Sequence, residues 1–88
     1  MDILFDPAKD AANQAKHGLS LADAAQLEWD TLWARPDQRR DYGERRTVGF
    51  VYLGLRLCCV VYTERGEVRR IISLRKANAR EVARYAEA

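Results

Sequence analysis

The chain has 88 residues, 48% of them hydrophobic and 32% charged, which suffices for one domain spanning residues 1–88 and is too few for two. The net charge of +2 hides an asymmetry, because residues 1–34 hold two lysines against six acidic residues and residues 35–88 hold thirteen basic residues against seven acidic ones. No apolar run approaches the length of a membrane span and the first residues lack the pattern of a signal peptide, so we expect a cytoplasmic protein.

The first segments predict an edge strand that leads into a helix. Residues 3–5 are a short apolar run, Asp6 suits the N-cap position, and Pro7 suits the first helical position. Gly18 is the expected C-cap. Four alanines recur at helical spacing and predict a narrow stripe that packs against another element: Ala8, Ala11, Ala12 and Ala15.

A second helix is predicted to begin at Ser20, because Ser20 and Asp23 have the spacing of a capping box. The residues expected on its buried side are Ala24, Ala25, Leu27 and Trp29. The two helices would then form a hairpin. Residues 31–34 are a candidate short strand, which Pro36 should end unless it lies at a sheet edge, and the polar, charged residues 36–46 predict a loop.

Three strands are predicted in the second half of the chain, at Thr47–Leu53, Arg56–Thr63 and Val68–Arg75, where β-branched and aromatic residues are frequent. Glu64–Glu67 supplies a hairpin turn, in which Gly66 provides the positive φ. The strands would form an antiparallel meander. One face must pack against the helices, because a small sheet cannot leave its apolar side in water.

Strict alternation along the last strand predicts which side chains share a face. Arg69, Ile71, Ser73 and Arg75 would lie on one face, and Arg70, Ile72, Leu74 and Lys76 on the other. Arginines along one strand face suit the binding of an extended polyanion. After this strand, Asn78 and Glu81 have capping-box spacing and predict a short C-terminal helix.

The cysteine and histidine content argues against a metal site. Cys58 and Cys59 are adjacent in a predicted strand, so their side chains should point to opposite faces and act as small buried hydrophobic groups. The sequence has one histidine, His17, and lacks a second cysteine or histidine pair. We therefore expect neither a structural zinc nor another cofactor.

Three ordered blocks of residues resemble the BrnT family of toxins from bacterial type II toxin-antitoxin systems. They are Phe5–Lys9 with Asn13, Lys16–Gly18, Ser20 and Ala24; Gly43–Arg45; and Val61–Arg65 with Arg70–Ala77, Glu81 and Tyr85. The likeness covers nearly the whole chain. It departs at Leu21, where an aromatic residue is common, and at Leu74, where a small residue is usual.

The resemblance implies a RelE-like α+β fold, with a short N-terminal strand, a two-helix hairpin packed on an antiparallel β-sheet meander, and a short C-terminal helix. It also implies an endoribonuclease that cleaves RNA without a metal, inhibits translation and arrests growth. A cognate ribbon-helix-helix antitoxin similar to BrnA would neutralise the toxin, and operator DNA would be bound only through that antitoxin. Neither a cofactor nor a membrane is part of this expectation.

Metal-free RNA cleavage needs positive charge on the scissile phosphate, a base for the 2′-hydroxyl and an acid for the 5′-oxygen. Arg69 and Arg75 are expected to grip phosphate oxygens from one strand face, with Lys76 beside them and Arg65 reaching in from the turn. The alternative is that some of these side chains pair with Glu44, Glu64 or Glu67. The full set of expected RNA contacts is Arg65, Arg70, Arg80, Arg84 and Lys16.

The groups that transfer protons are left open by the sequence. His17 has an ordinary pKa near neutrality, although a histidine at a helix end is often a cap or a packed residue. Glu44 could act as a base if it were buried near arginine, whereas an exposed Glu44 would be a salt-bridge partner. Tyr85 could donate a proton, orient a base by stacking, or fill the core.

A second function is compatible with the same residues. A non-catalytic nucleic-acid-binding or partner-binding module could use the same basic sheet surface, with charge supplying affinity and no chemistry. One observation separates the two hypotheses: a ribonuclease cuts RNA when its partner is absent, whereas a binding module leaves the bound RNA intact.

Overall fold

A computed structural model describes residues 1–39, 41 and 43–88, so positions 40 and 42 of the predicted loop lie outside the described residues. Over the described residues the chain forms five β-strands, two α-helices and one 3₁₀ helix. In chain order these are β1 (Asp2–Leu4), α1 (Pro7–His17), the 3₁₀ helix (Leu21–Gln26), β2 (Glu28–Pro36), β3 (Thr47–Leu53), β4 (Arg56–Arg65), β5 (Val68–Lys76) and α2 (Ala79–Glu87).

The five described strands form one sheet in the order β1-β5-β4-β3-β2. β1 runs parallel to β5, and the other three pairings are antiparallel. The α+β prediction is confirmed, but the sheet is mixed rather than antiparallel. The candidate strand at residues 31–34 belongs to a nine-residue β2, so the meander has four strands within the described part instead of the predicted three.

Both predicted ends of α1 are confirmed. The Asp6 carboxylate accepts a hydrogen bond from the Ala8 backbone N–H at 2.8 Å, and Pro7 is the first helical residue. Gly18 ends the helix in the left-handed region at φ 73°, where a side chain would be strained.

The predicted alanine stripe of α1 is wrong, because all four alanines are exposed. The helix instead faces the sheet with a polar stripe at the same helical spacing, formed by Asp10, Asn13 and His17. The buried Asn13 amide donates to the carbonyls of Leu19 and Leu74 at 2.8 Å, and its oxygen accepts from the Leu74 N–H at 3.1 Å. The two bonds to Leu74 attach α1 to β5, and the bond to Leu19 joins the helix to the residues that follow it, so the Asn13 side of the helix is buried.

The second helix is shorter than predicted. Its Ser20–Asp23 capping box is present, but the 3₁₀ helix stops at Gln26 and Ala25 is exposed. Leu27 and Trp29 lie beyond the helix, where the chain is already extended along β2. The Trp29 indole N–H reaches back to the Ala24 carbonyl at 3.0 Å. Pairing with β3 therefore overrides the helical pattern after Leu27.

The two faces of the sheet have different coverage. The helix-bearing face packs against α1 and the 3₁₀ helix around the main core, whose buried members are Leu21, Ala24, Leu27, Val51, Cys58, Val60, Tyr62, Ile71 and Leu74. The opposite face, here called the open face, is covered at one end by α2 over a smaller cluster of Phe50, Leu57 and Cys59. Cys58 and Cys59 are both buried thiols on opposite faces, as predicted.

A β-bulge at Ile72 breaks the alternation of β5. Ser73 lies opposite Val61, and Ile71 lies opposite the next residue of β4, Tyr62, so Ile72 is left without a partner. One extra residue moves every later side chain to the other face. Ile71 and Leu74 consequently belong to the same core.

The predicted grouping of β5 side chains is therefore wrong. Arg69 lies on the helix-bearing face and Arg75 on the open face, because the bulge lies between them. Arg70 and Arg75, which strict alternation separated, share the open face. None of the helices within the described residues has both the length and the apolar composition that a membrane crossing requires.

Candidate functional site

A groove of about 470 Å³ lies on the open face, between the sheet, the start of α2 and the residues that follow β2. We call it the Arg75 groove. Its lining consists of Arg35, Pro36, Asp37, Gln38, Arg39, Val48, Phe50, Cys59, Val61, Ser73, Arg75 and Glu81. An apolar floor with arginines at its rim is suited to a ligand that combines negative charge with flat, apolar rings.

Arg75 is held in place by a two-point contact with the first turn of α2. Its Nη1 and Nη2 donate to the two carboxylate oxygens of Glu81 at 2.8 and 2.9 Å, and Nη1 also approaches the Lys76 carbonyl at 3.3 Å. Glu81 is fixed in turn, because it accepts from the Asn78 backbone N–H at 2.9 Å in the predicted capping box. The guanidinium is therefore oriented before any ligand arrives.

The electrostatics of this pair keep both groups charged. The hydrogen bond that Arg75 donates to Glu81 raises the pKa of Arg75 above its ordinary value. The hydrogen bond from Arg75 lowers the pKa of the Glu81 carboxyl, although burial opposes the shift. Glu81 is therefore poorly suited to accept a proton near neutral pH, and its role is to position Arg75.

Further cations surround the Arg75 groove. Arg35 lies near the end of β2, and Arg84 of α2 joins it in a small adjoining hollow against Trp33. Arg39 pairs with the buried Asp37 at 2.8 Å. Sequence reasoning missed Arg35 and Arg39, because Arg35 reaches the groove through the pairing of β2 with β3 and Arg39 lies beside it just after β2. No local motif signals such a contact.

Arg69 does not line the Arg75 groove. The prediction that Arg69 and Arg75 bind phosphate oxygens from one strand face is therefore wrong. The Nε of Arg69 donates to Glu64 at 2.9 Å, the alternative pairing left open by the sequence. The guanidinium carbon lies 4.5 Å from the centre of the Trp29 ring and 5.1 Å from that of Tyr62. These contacts fix Arg69 as part of the helix-bearing face.

Lys76 also lies away from the Arg75 groove. It is opposite Cys58, which belongs to the helix-bearing core, so its exposed side chain starts from that face. Lys76 follows Arg75 directly in β5, and successive strand residues point to opposite faces, so Lys76 lies on the other side of the sheet from the groove.

Arg65 and Arg70 lie together in a second cavity of about 520 Å³ beside the β4–β5 turn. We call it the turn cleft. It is lined by Leu4, Glu44, Arg45, Thr63, Glu64, Arg65, Val68 and Arg70. Glu44 is exposed and accepts from the Arg46 Nε at 3.1 Å, so the structure shows the salt-bridge partner and not the buried base.

His17 lies in a shallow cleft of about 250 Å³ at the edge of β5, beside Lys9, Lys16 and Ile72. Ser73 lines both this edge cleft and the Arg75 groove. Burial lowers the pKa of His17 below its ordinary value of 6.5, and the charges of Lys16 and Arg75 lower it further. The imidazole is therefore neutral near physiological pH and able to accept a proton.

Tyr85 anchors α2 to the sheet. Its hydroxyl donates to the Thr31 carbonyl at 2.6 Å, and its ring contacts the Tyr52 ring edge-on at 5.6 Å between centres. Because the hydroxyl is hydrogen-bonded to β2, the structure favours core packing over proton donation or the stacking that would orient a base. Arg80, one turn before Arg84, is exposed on α2.

No metal centre is visible among the residues that the structure describes, where no three histidine, cysteine or acidic side chains come together. Burial raises the pKa of both cysteine thiols above their ordinary values. Cys59 forms part of the floor of the Arg75 groove, and a thiol with a raised pKa is a weak nucleophile.

Comparisons with known proteins agree with these features. A family model described as "Ribonuclease toxin, BrnT, of type II toxin-antitoxin system" matches residues 5–81. Among solved structures, the ribonuclease toxin BrnT of Brucella abortus is similar with a TM-score of 0.70 and 28% sequence identity, over 89% of this chain and 97% of that one. No curated protein matches the chain.

Proposed function

Since the chain belongs to the BrnT family of ribonuclease toxins of type II toxin-antitoxin systems, we propose that the Arg75 groove is where this endoribonuclease binds and cleaves RNA. One observation carries the proposal: the Arg75 guanidinium, fixed by the two hydrogen bonds that it donates to Glu81, faces an open groove that is rimmed by other arginines. A positioned, permanently charged group of this kind is suited to a phosphate on which negative charge accumulates.

Arg75 has donors left for a phosphate. A guanidinium has five N–H groups, and three hydrogen bonds of Arg75 are made within the described part of the chain. The remaining donors, together with the charge of Arg35 and Arg84, would stabilise the pentavalent phosphorane as the 2′-oxygen bonds to phosphorus. The bond from phosphorus to the 5′-oxygen then breaks, which leaves a 2′,3′-cyclic phosphate, and the departing 5′-oxygen takes a proton from water. Because guanidinium groups supply this charge, we propose that cleavage needs no metal ion.

His17 is the best candidate for the base. It is neutral near physiological pH, whereas Glu81 is held ionised by Arg75 and Glu44 is exposed and paired. An RNA strand that crosses the edge of β5 at Ser73 would contact both the edge cleft and the Arg75 groove. His17 would then remove the 2′-hydroxyl proton while Arg75 binds the adjacent phosphate.

The family also directs the biological proposal. A type II system pairs the toxin with a protein antitoxin. We propose that this antitoxin has a ribbon-helix-helix domain, that cleavage inhibits translation in the cytoplasm, and that the fold belongs to the wider RelE-like group. Growth arrest on expression without the antitoxin is the corresponding cellular outcome.

The test is RNA cleavage by purified Arg75→Ala protein, with Arg56→Ala as the matched control. Arg56 is an exposed arginine of β4, two residues before Cys58 on the helix-bearing face. Removing one preorganised donor typically costs about a hundredfold to a thousandfold in rate. We expect that loss for Arg75→Ala, no loss for Arg56→Ala, and full wild-type activity in EDTA. Normal cutting by folded Arg75→Ala protein would contradict the proposal.

A further inference from the structure

The turn cleft and the Arg75 groove lie on the same face of the sheet. On β4, alternate residues from Cys59 lead to Thr63, which pairs with Arg70, and then to Arg65 at the turn. On β5, the bulge brings Arg70 and Arg75 to that face together. The partners of these two arginines, Thr63 and Cys59, are four steps apart on β4, a distance of roughly 13 Å, so both cavities lie along one path.

The charges in the turn cleft are unbalanced. Glu44 pairs with Arg46 and Glu64 pairs with Arg69, so both carboxylates of the cleft already have cationic partners. Arg45, Arg65 and Arg70 make no ion pair with any residue that the structure describes. Three guanidinium groups around one cavity repel each other, and an anionic ligand offsets that repulsion.

We propose that the turn cleft binds backbone phosphates of the same single-stranded RNA, several nucleotides away from the phosphate that is cut. The inference rests on the proposed function of the Arg75 groove. A single strand is the form of RNA that follows a positively charged path along a protein surface, with its bases free to stack. The cleft therefore adds affinity for long substrates and takes no part in the chemical step.

RNA is favoured over an acidic protein segment for two reasons. The cleft continues the path of the Arg75 groove on the same two strands. Its guanidinium groups also match phosphate geometry, which repeats at regular intervals along an RNA backbone. An acidic segment of a partner protein is the competing occupant, and the experiment includes it as an outcome.

Binding is measured with a long single-stranded RNA whose 2′-hydroxyls are methylated, because this RNA cannot be cut. The variant is Arg65→Ala/Arg70→Ala. Arg56→Ala is the control, because it also removes one positive charge at the substituted site. We expect the double variant to bind about tenfold more weakly or worse. In a plot of log affinity against log salt concentration, the slope for the double variant should be shallower than that of the wild type by about 0.7 for each arginine removed.

Cleavage then separates this cleft from the Arg75 groove. With a natural long RNA, the double variant should show a raised KM and an unchanged kcat. With a dinucleotide, which spans only the scissile phosphate, its KM and kcat should both equal those of the wild type. Folding is checked by thermal unfolding, and Arg70→Ala alone, on an exposed side chain, replaces the double variant if that protein is unstable.

Two results would overturn the inference. One is RNA affinity and salt dependence equal to those of Arg56→Ala. The other is intact RNA binding combined with lost antitoxin binding, which would assign the cleft to the protein partner. The proposed function fails by other results: the wild type leaves RNA intact, or Arg75→Ala cuts RNA normally. The binding assay does not depend on either result, because it uses RNA that cannot be cut.

Discussion

Arg69 and Arg75 belong to the same strand, yet their surroundings differ in every respect that matters for function. Arg69 pairs with Glu64 and covers the rings of Trp29 and Tyr62 on the helix-bearing face. Arg75 lies on the open face, where Glu81 orients it toward a groove. The face on which an arginine lies, and not its position in a basic run, therefore separates the packing contacts of Arg69 from the RNA-binding role that we propose for Arg75.

The largest expected effect concerns His17, which lies at the edge between the two faces. His17→Ala should lower the cleavage rate by roughly a hundredfold or more if the imidazole is the base. The wild-type rate should rise with pH and then level off, with its midpoint below the ordinary histidine pKa of 6.5, because burial lowers the pKa of His17. Rates measured across this pH range for both proteins check the assignment. A variant with the wild-type profile would show that another group removes the proton.

The next effect concerns stability and compares the buried and exposed sides of α1. Asn13→Ala removes three hydrogen bonds and leaves the N–H and carbonyl of Leu74 without that partner beneath the helix. We expect a loss of about 3 kcal/mol in the free energy of unfolding, measured with urea. Gln14→Ala, on the exposed side of the same helix, is the control and should change stability by less than about 0.5 kcal/mol. A loss below about 1 kcal/mol for Asn13→Ala would mean that α1 is held by other contacts.

A smaller effect distinguishes two adjacent arginines on opposite faces. Arg69→Ala should reduce the free energy of unfolding by about 1 kcal/mol, since it removes a partly exposed ion pair and two ring contacts. Arg70→Ala should leave stability unchanged and weaken RNA binding. Urea unfolding and RNA affinity, measured on both variants, give the comparison. If the two variants behaved alike, the division between the faces would be wrong.

The smallest effect is the pH dependence contributed by Glu81. Its pKa is lower in the folded protein than the ordinary value of 4.5, so the contact with Arg75 contributes stability above that pH. The contribution disappears as the pH falls through the lowered value. For a partly exposed pair it should amount to less than about 1 kcal/mol. Glu81→Gln should therefore be less stable than the wild type at neutral pH and equal to it in acid, by urea unfolding at each pH.

Much of the secondary structure follows from local signals. The cap at Asp6, the end of α1 at Gly18 and the capping boxes at Ser20 and Asn78 are all formed. β3 occupies the predicted residues, and β4 and β5 extend by one or two residues beyond them. Such signals are predictable because the hydrogen bonds and backbone angles of a helix cap involve only residues a few positions apart in the chain.

The candidate site was less predictable, because it depends on pairing between distant segments. The bulge at Ile72 arises from the register of β4 against β5, and it reversed the expected face of every later residue. Arg35 enters the groove because the end of β2 pairs with β3, where Arg35 lies opposite Val48. The alanines of α1 predict the wrong buried side of the helix, because three hydrogen bonds of Asn13 outweigh the small apolar area of four methyl groups.

The most direct measurement is an NMR titration that follows the arginine side-chain N–H signals while uncleavable single-stranded RNA is added. If the open face binds RNA, the Nε–H signals of Arg75 and Arg70 shift with added RNA and that of Arg69 does not. A shift of the Arg69 signal with a stationary Arg75 signal would contradict the account, because RNA would then bind on the face that holds the helices.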